Sequence, residues 1–307
     1  SRIMSNKQNP WSVFWQKGAF AAFLDEKSTL QNYQMRKFWF ERMEETEPKQ
    51  PILDVATGNG IVPQWLSEFA DKKGKKFDLI GVDSAVIKPA NDKLKLHGET
   101  PYERFTLPSN KKFGTIVSHY GLEYGDMAKG LPHLHKNLKR GGMVIALVHS
   151  EDSVIVQTSR KVYELLPTLI KHLKKSVEPL YTAILKAAGK PLPKNAQIAQ
   201  QKLNQLAAKH RNDAAFHRTN FVPAVRHILQ AAGQGKAAEA QRVFSEYLNN
   251  LNDHKARLTT MVKAVEQAGS GEQLKQQFEA AGFKEVQVEK VQFPETGIVG
   301  QCVQAKK

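Results

Sequence analysis

The 307 residues are 41% hydrophobic and include a single cysteine, Cys302. One cysteine excludes an internal disulfide framework and a cysteine-based zinc site, which is typical of a protein in the reducing cytoplasm. The sequence contains no run of about 18 to 20 apolar residues, and no apolar stretch follows basic residues at its start. We therefore expect neither a membrane span nor export, and we predict a cytoplasmic location.

The net charge of +15 is unevenly distributed along the chain. Residues 1–150 contain 22 Lys and Arg against 16 Asp and Glu, residues 151–270 contain 18 against 9, and residues 271–307 contain 5 against 5. The middle of the chain is thus the basic part. Solvated helix faces would account for this excess, and so would a surface for nucleic acid or another polyanion.

Strands and helices alternate in the first half of the chain. Residues 1–50 form an N-terminal helical segment with two helices between residues 11 and 46. Over residues 51–150, strands followed by helices predict a parallel sheet covered on both faces. The predicted strands are Pro51–Val55, Asp78–Val82, Thr115–His119 and Met143–His149. Helices are predicted at Val62–Lys72 and Gly130–Leu138, and Gly141 and Gly142 indicate a turn before the fourth of these strands.

Strand patterns almost disappear between residues 151 and 269, which we interpret as an all-helical insertion. Helices are predicted near residues 154–175, 178–188, 195–210, 220–232 and 236–268. The sheet resumes in residues 270–307, where Ser270 and Gln273 form a predicted capping box. Two closing strands, Glu285–Phe293 and Gly297–Ala305, follow with only a short turn between them. The predicted fold is therefore α/β, a Rossmann-like doubly wound sheet, mostly parallel with an antiparallel closing strand.

A glycine turn follows the first predicted strand. In the segment from Ile52 to Gly60, Gly58 and Gly60 allow the backbone to approach a ligand closely, and a helix begins just beyond them. Asp83 ends the second predicted strand, where a carboxylate can accept hydrogen bonds from both hydroxyls of a ribose. Together the two features predict a nucleoside-binding site.

These residues resemble the first two motifs of class I S-adenosylmethionine-dependent methyltransferases, over about residues 51–150 and 271–307. Asp54 matches the acidic position, and Ala56 replaces the first glycine of the motif. The resemblance implies S-adenosylmethionine as cofactor, with Asp54 near the methionine amino group, Asp83 on the ribose and Glu103 on the adenine amino group. The cofactor-binding residues implied in this way are Asp54, Ala56, Thr57, Gly58, Asn59, Gly60, Asp83, Ser84, Glu103, Arg104 and His119.

The predicted strand Thr115–His119 corresponds to the fourth strand of the family. His119 and Tyr120 lie at its end, where the resemblance implies contact with the methionine moiety and the acceptor. They are the predicted catalytic residues. His119 is a candidate general base because the ordinary histidine pKa lies near neutrality, but a packed residue at a strand end would also fit. The remaining histidines form no convincing ligand set, so we predict no metal.

Several alternatives remain at this point. A nicotinamide dehydrogenase also uses a glycine turn and a strand-end acid, but Pro63 occupies the position of its third glycine. A small-molecule acceptor is favoured, with residues 151–269 as a substrate cap. The alternatives are an RNA or ribosome-associated methyltransferase that uses the basic insertion, or a non-catalytic nucleotide-binding protein. The helical segments could also support a homodimer.

Overall fold

Seven strands form one sheet in the order β3-β2-β1-β4-β5-β7-β6 in a computed structural model that describes residues 9–19, 22 and 29–307. Strands β3, β2, β1, β4 and β5 run parallel, and β7 is antiparallel to both β5 and β6. This topology confirms the predicted Rossmann-like fold class. The strands are β1 (Ile52–Val55), β2 (Leu79–Val82), β3 (Lys95–His97), β4 (Phe113–His119), β5 (Leu138–Val148), β6 (Lys284–Phe293) and β7 (Gly297–Lys306).

Helices cover both faces of this sheet, as the alternating pattern predicts. Side chains alternate along β5, so Val144 and Ala146 belong to one apolar core and Ile145 and Leu147 to another. The capping box of Ser270 is present. The helices that accompany the sheet are α1 (Pro10–Gln16), α2 (Thr29–Thr46), α3 (Ile61–Lys72), α4 (Met127–Asn137) and α11 (Gly271–Ala280).

One local prediction was wrong, and two short elements were not predicted. β3 was not predicted, because a strand of three largely exposed residues carries no hydrophobic alternation. The glycine pair at Gly141 does not form a turn outside the sheet: β5 already begins at Leu138, which pairs with Phe113 before the register shifts. A five-residue helix, Ala214–Arg218, was also missed because it is too short to show periodicity.

The chain divides into two units. One comprises the residues up to Gln157 together with Thr260–Lys307, and the other comprises Thr158–Thr259. The second unit is helical, with a buried apolar core that includes Leu169, Phe216 and Ile228. Its helices are α5 (Val154–His172), α6 (Glu178–Ala187), α7 (Lys194–Lys209), α8 (Ala214–Arg218), α9 (Phe221–Gly233) and α10 (Ala237–Ala268), with a π-helical turn at Leu173–Val177. α5 and α10 extend beyond the limits of the unit.

The predicted division into 1–50, 51–150, 151–269 and 270–307 stays a prediction. Part of its first segment, residues 1–8, 20–21 and 23–28, lies outside the described residues. In the part of the chain that the structure describes, no helix has the length and apolar character needed to cross a membrane.

Candidate functional site

The glycine turn after β1 uses backbone conformations that favour glycine. Gly58 has φ +56°, and Gly60 has φ +101° at the N-cap of α3. Ala56, at the first glycine position of the motif, adopts φ +59°. A left-handed backbone is strained for alanine, and such strain is concentrated in functional loops. The turn therefore keeps the shape of a glycine-rich loop even where glycine is replaced.

Gly58 also permits a close contact with α1. A Cβ atom at Gly58 would lie 2.5 Å from the indole of Trp15. The side-chain amide of Asn59 donates to the carbonyl oxygens of Trp15, at 2.8 Å, and Ala19, at 2.6 Å. Its oxygen accepts from the N–H of Lys88 at 2.7 Å. The Asn59 side chain therefore holds α1 and the loop after β2 against the glycine turn.

Asp83, at the end of β2, connects the glycine turn to the loop that follows β2. Its Oδ2 accepts from the N–H of Gly58 and its Oδ1 from the N–H of Ala85, both at 2.9 Å. Burial raises the pKa of Asp83 to about 6, and the two hydrogen bonds oppose that shift. Because a carboxylate offers about four lone-pair positions, Asp83 can accept further hydrogen bonds from ligand hydroxyls.

Several buried side-chain atoms have no hydrogen-bond partner in the described part of the chain, and three of them are Asp54 Oδ1, Thr57 Oγ1 and His119 Nε2. All three residues line the same cavity. Burial raises the pKa of Asp54 to about 8, the neighbouring Thr57 hydroxyl opposes that shift, and the charge of nearby Asp83 adds to it. Leaving buried polar atoms unpaired is costly, so their concentration at one cavity indicates that a ligand completes their hydrogen bonds.

A hydrogen bond from Trp39 determines which nitrogen of the His119 ring carries the proton. The indole N–H of Trp39 donates to His119 Nδ1 at 3.0 Å. Since tryptophan is only a donor, Nδ1 carries no proton, and in the neutral ring the proton is on Nε2. Burial lowers the pKa of His119 to about 3. His119 therefore presents a hydrogen-bond donor at the cavity wall near neutral pH.

Tyr120 has its hydroxyl engaged elsewhere. This hydroxyl donates to the carbonyl oxygen of Val299 at 2.6 Å, and the ring stacks on His149 with centroids 4.5 Å apart. Burial raises the pKa of the Tyr120 phenol well above its usual value. Tyr120 still lines the cavity, and it does so as a neutral ring.

Tyr124, His149 and Glu123 form a buried polar group beside the cavity. The Tyr124 hydroxyl is 2.8 Å from His149 Nε2, and the backbone N–H of His149 donates to Glu123 Oε2 at 2.6 Å. Burial raises the pKa of Glu123 to about 7 and lowers that of His149 to about 3. Sequence reasoning missed His149, because it directly follows β5 outside any motif and only the fold brings it to Tyr124.

The cavity has a volume of about 510 Å³. Arg104 lines it, whereas Glu103, the residue predicted for the adenine amino group, is not among the lining residues. The described lining residues are Asn9, Pro10, Trp11, Ser12, Trp15, Ala22, Asp54, Ala56, Thr57, Ile61, Val62, Asp83, Ser84, Glu99, Pro101, Arg104, His119, Tyr120, Tyr124 and Thr260. Within the residues that the structure describes, no group of three or more His, Cys, Asp or Glu side chains could hold a metal ion.

A comparison with protein-family models shows to which family the chain belongs. Residues 24–200, more than half of the 307, match the model described as the ubiE/COQ5 methyltransferase family. The chain belongs to the ubiE/COQ5 methyltransferase family. This membership confirms the predicted class, an S-adenosylmethionine-dependent methyltransferase, and with it the predicted cofactor. A comparison with curated protein sequences finds no match.

Solved methyltransferase structures also match this ubiE/COQ5 family member. A SAM-dependent methyltransferase of Thermotoga maritima, described as a possible histamine N-methyltransferase, is 12% identical, with 97% of this chain and all of that chain covered and a TM-score of 0.39. Phosphoethanolamine N-methyltransferase 2 of Haemonchus contortus is 10% identical over 90% of this chain and 52% of its own, with a TM-score of 0.41. A Mesorhizobium loti methyltransferase is 19% identical over 36% and 52%, with a TM-score of 0.29. The chain thus spans about half the length of several structures that it matches.

Most predicted site residues of this family member lie together. Asp54, Ala56, Thr57, Asp83 and Ser84 all line the cavity, as do both predicted catalytic residues. The lining residues on α1 were not predicted, because their approach to the glycine turn depends on a tertiary contact and no local motif marks it.

Proposed function

We propose that this chain transfers a methyl group from S-adenosylmethionine to a nucleophilic atom of a small molecule in the cavity beside the glycine turn. The observation that carries the proposal is the set of three unpaired buried atoms, Asp54 Oδ1, Thr57 Oγ1 and His119 Nε2, on the walls of one cavity. A volume of about 510 Å³ lies within the range of cofactor and small-ligand sites, roughly 300–1,000 Å³.

The residues present fit S-adenosylmethionine. Asp54 would accept from the ammonium group of the cofactor, which supplies the donor that Oδ1 lacks and favours the charged carboxylate. Asp83 would accept from the ribose hydroxyls while it keeps its bonds to Gly58 and Ala85. Ala56, Gly60 and the remaining predicted residues would shape the loop around these two anchors.

When bound, S-adenosylmethionine supplies a methyl group that its sulfonium already activates. The protein must therefore align the acceptor with this methyl group and exclude water, and it does not have to create a strong electrophile. Trp11 and Trp15 line the cavity from α1, and the indole N–H of Trp11 donates to Thr260 Oγ1 at 3.0 Å. These contacts make α1 a wall that shields the reacting atoms from solvent.

We assign His119 the role of a hydrogen-bond donor to the acceptor. Its Nε2–H is buried and has no partner among the described residues, whereas its Nδ1 is engaged by Trp39. To act as a base, the ring would have to take a proton at Nδ1 and lose the hydrogen bond from Trp39. Tyr120 would position the acceptor through its ring, because its hydroxyl bonds to Val299.

We also propose a cytoplasmic location, a substrate cap, a homodimer and an adenine ligand. The single cysteine supports a cytoplasmic location. The role of residues 151–269 as a substrate cap, a homodimer through helical segments, and Glu103 as an adenine ligand rest on the family resemblance and on sequence patterns alone.

The test is the transfer of a tritiated methyl group from S-adenosylmethionine into a cell extract divided by ultrafiltration into small molecules and macromolecules. We expect label in the small-molecule fraction with the parent protein and much less with Asp83→Ala when S-adenosylmethionine is limiting. Label confined to RNA or protein would contradict the small-molecule acceptor. Tight binding of NAD in place of S-adenosylmethionine would contradict the cofactor site.

A further inference from the structure

The excess positive charge of the chain is concentrated in its helical unit. Residues 158–259 contain 17 Lys and Arg against 6 Asp and Glu, a net charge of +11. The other 205 residues contain 28 against 24, a net charge of +4. One third of the chain therefore carries most of the net charge of +15. Such an imbalance produces an attractive field for anions around this unit.

The charge is densest around the π-helical turn and α6. Six exposed lysines lie within 24 residues, and Glu178 is the one acidic residue among them. The ion pairs that the structure describes in this unit join His210 to Asp213, His227 to Glu239 and Arg242 to Glu246, so they neutralise none of the six lysines. The six lysines are Lys171, Lys174, Lys175, Lys186, Lys190 and Lys194.

Three of these lysines share one open groove. Lys174 on the π-helical turn, Lys186 on α6 and Lys190 in the following loop line a depression of about 580 Å³. Glu178 and Thr182 also line it, together with alanine and proline residues. The groove therefore places several ammonium groups along a surface of small side chains that a phosphate backbone could approach.

The number of exposed hydrophobic side chains distinguishes a surface that binds a lipid bilayer from one that binds a nucleic acid. Surface-bound amphipathic helices place an apolar or aromatic face in the lipid boundary. Among the described residues of this unit, Ile198 is the one large hydrophobic side chain classed as exposed, at 41%. A nucleic acid needs no such face, because lysines bind its phosphates by charge alone. The surface thus fits a phosphodiester backbone better than a lipid bilayer.

We propose that the helical unit binds the phosphodiester backbone of a nucleic acid, with Lys174, Lys186 and Lys190 as phosphate contacts. Recognition is by charge and does not read sequence, because exposed lysines along a groove contact phosphates and not base edges. The proposal concerns a binding surface of the second unit, and it does not depend on the acceptor proposed for the cavity of the first unit.

The experiment measures the binding of a fluorescein-labelled single-stranded RNA of mixed sequence to the full chain by anisotropy, between about 50 and 200 mM salt. The parent should bind with a Kd on the order of 10⁻⁶ to 10⁻⁴ M, and its affinity should fall steeply with salt. The triple variant Lys174→Gln, Lys186→Gln, Lys190→Gln should have a log–log salt slope smaller by about 2, which at about 0.1 M salt is roughly a 100-fold loss of affinity.

The matched control removes the same charge from exposed lysines of the first unit, in the triple variant Lys75→Gln, Lys93→Gln, Lys129→Gln. It should bind RNA as the parent does. Both variants should keep the circular-dichroism spectrum and the unfolding midpoint of the parent, which shows that both units fold. Normal binding of S-adenosylhomocysteine separates this test from that of the proposed function. A DNA strand of the same sequence that binds comparably, or more weakly than RNA, supports the proposal in either case.

Three results would overturn it: no RNA binding by the parent, an equal loss in both triple variants, or binding to phosphatidylglycerol vesicles without binding to RNA.

Discussion

The two units place their charged groups in opposite ways. In the first unit, Asp54, Asp83 and Glu123 are buried, and burial moves each pKa toward neutrality. In the second unit the excess charge lies on exposed lysines such as Lys174 and Lys186. Buried groups interact strongly over short distances with a ligand that replaces water, whereas exposed charges act over longer distances and are screened by salt. Under the two proposals, the first unit therefore carries out the reaction and the second unit attracts anions.

The largest expected effect is the loss of cofactor affinity in Asp83→Ala. This substitution removes charge-assisted hydrogen bonds worth about 1.5–3 kcal/mol, so the Kd for S-adenosylhomocysteine should rise roughly 10- to 150-fold by calorimetry. Asp78→Ala is the matched control, because Asp78 lies just before β2 and its carboxylate forms an exposed ion pair with Lys95 at 3.4 Å. An equal loss of cofactor affinity in both variants would mean that the buried Asp83 carboxylate contributes no more to cofactor binding than the exposed Asp78 carboxylate.

Cofactor affinity should also depend on pH through Asp54. With its pKa raised to about 8, Asp54 is largely protonated at pH 6, and an ammonium ligand must displace that proton. Affinity should therefore rise between pH 6 and 8, by at most about tenfold per pH unit for one proton. Calorimetry in two buffers of different ionisation enthalpy counts the released proton.

Asp54→Asn should weaken binding and flatten this profile. A parent profile that is flat, or a variant that keeps the same slope, would show that Asp54 is not the titrating group.

A smaller effect is expected for His119. If His119 donates one hydrogen bond, His119→Asn should lower turnover up to about tenfold at every pH, for a loss of roughly 0.5–1.5 kcal/mol. The parent should show no limb near pH 6 to 7 from this ring, because burial lowers its pKa to about 3. Nitrogen NMR should find the proton on Nε2 from pH 5 to 8. A turnover limb near pH 6.5 that His119→Asn abolishes would restore the role of general base.

The smallest expected effect is on the free energy of unfolding, when a strained alanine in either unit is replaced by glycine. Ala56 and Ala188 both have left-handed backbones, with φ +59° and +49°. Either alanine replaced by glycine should raise the free energy of unfolding by about 1 kcal/mol, because the left-handed region costs an L-residue roughly 1–2 kcal/mol. Only Ala56→Gly should change cofactor affinity. Ala187→Gly, within α6, is the control and should be destabilising.

The parts of the fold that sequence reasoning predicted are those with strong local patterns. Buried strands, the glycine turn from Gly58 to Gly60 and the capping box at Ser270 depend on near neighbours in the chain, so their residues identify them. β3 lacked such a pattern because its three largely exposed residues pair only at the sheet edge. The early start of β5 at Leu138 depends on its pairing with Phe113, which no local pattern shows.

The amino-acid sequence by itself determined the position of the cofactor loop, the acidic residues within β1 and just after β2, and the accumulation of lysines between residues 158 and 259. These features are local, because backbone freedom and formal charge belong to each residue wherever the chain places it. Only the tertiary structure decided which nitrogen of His119 carries the proton and how Trp15 packs on Gly58. Those properties arise from partners 80 and more than 40 residues away in the chain, and burial, which sets the pKa values, exists only after the chain has folded.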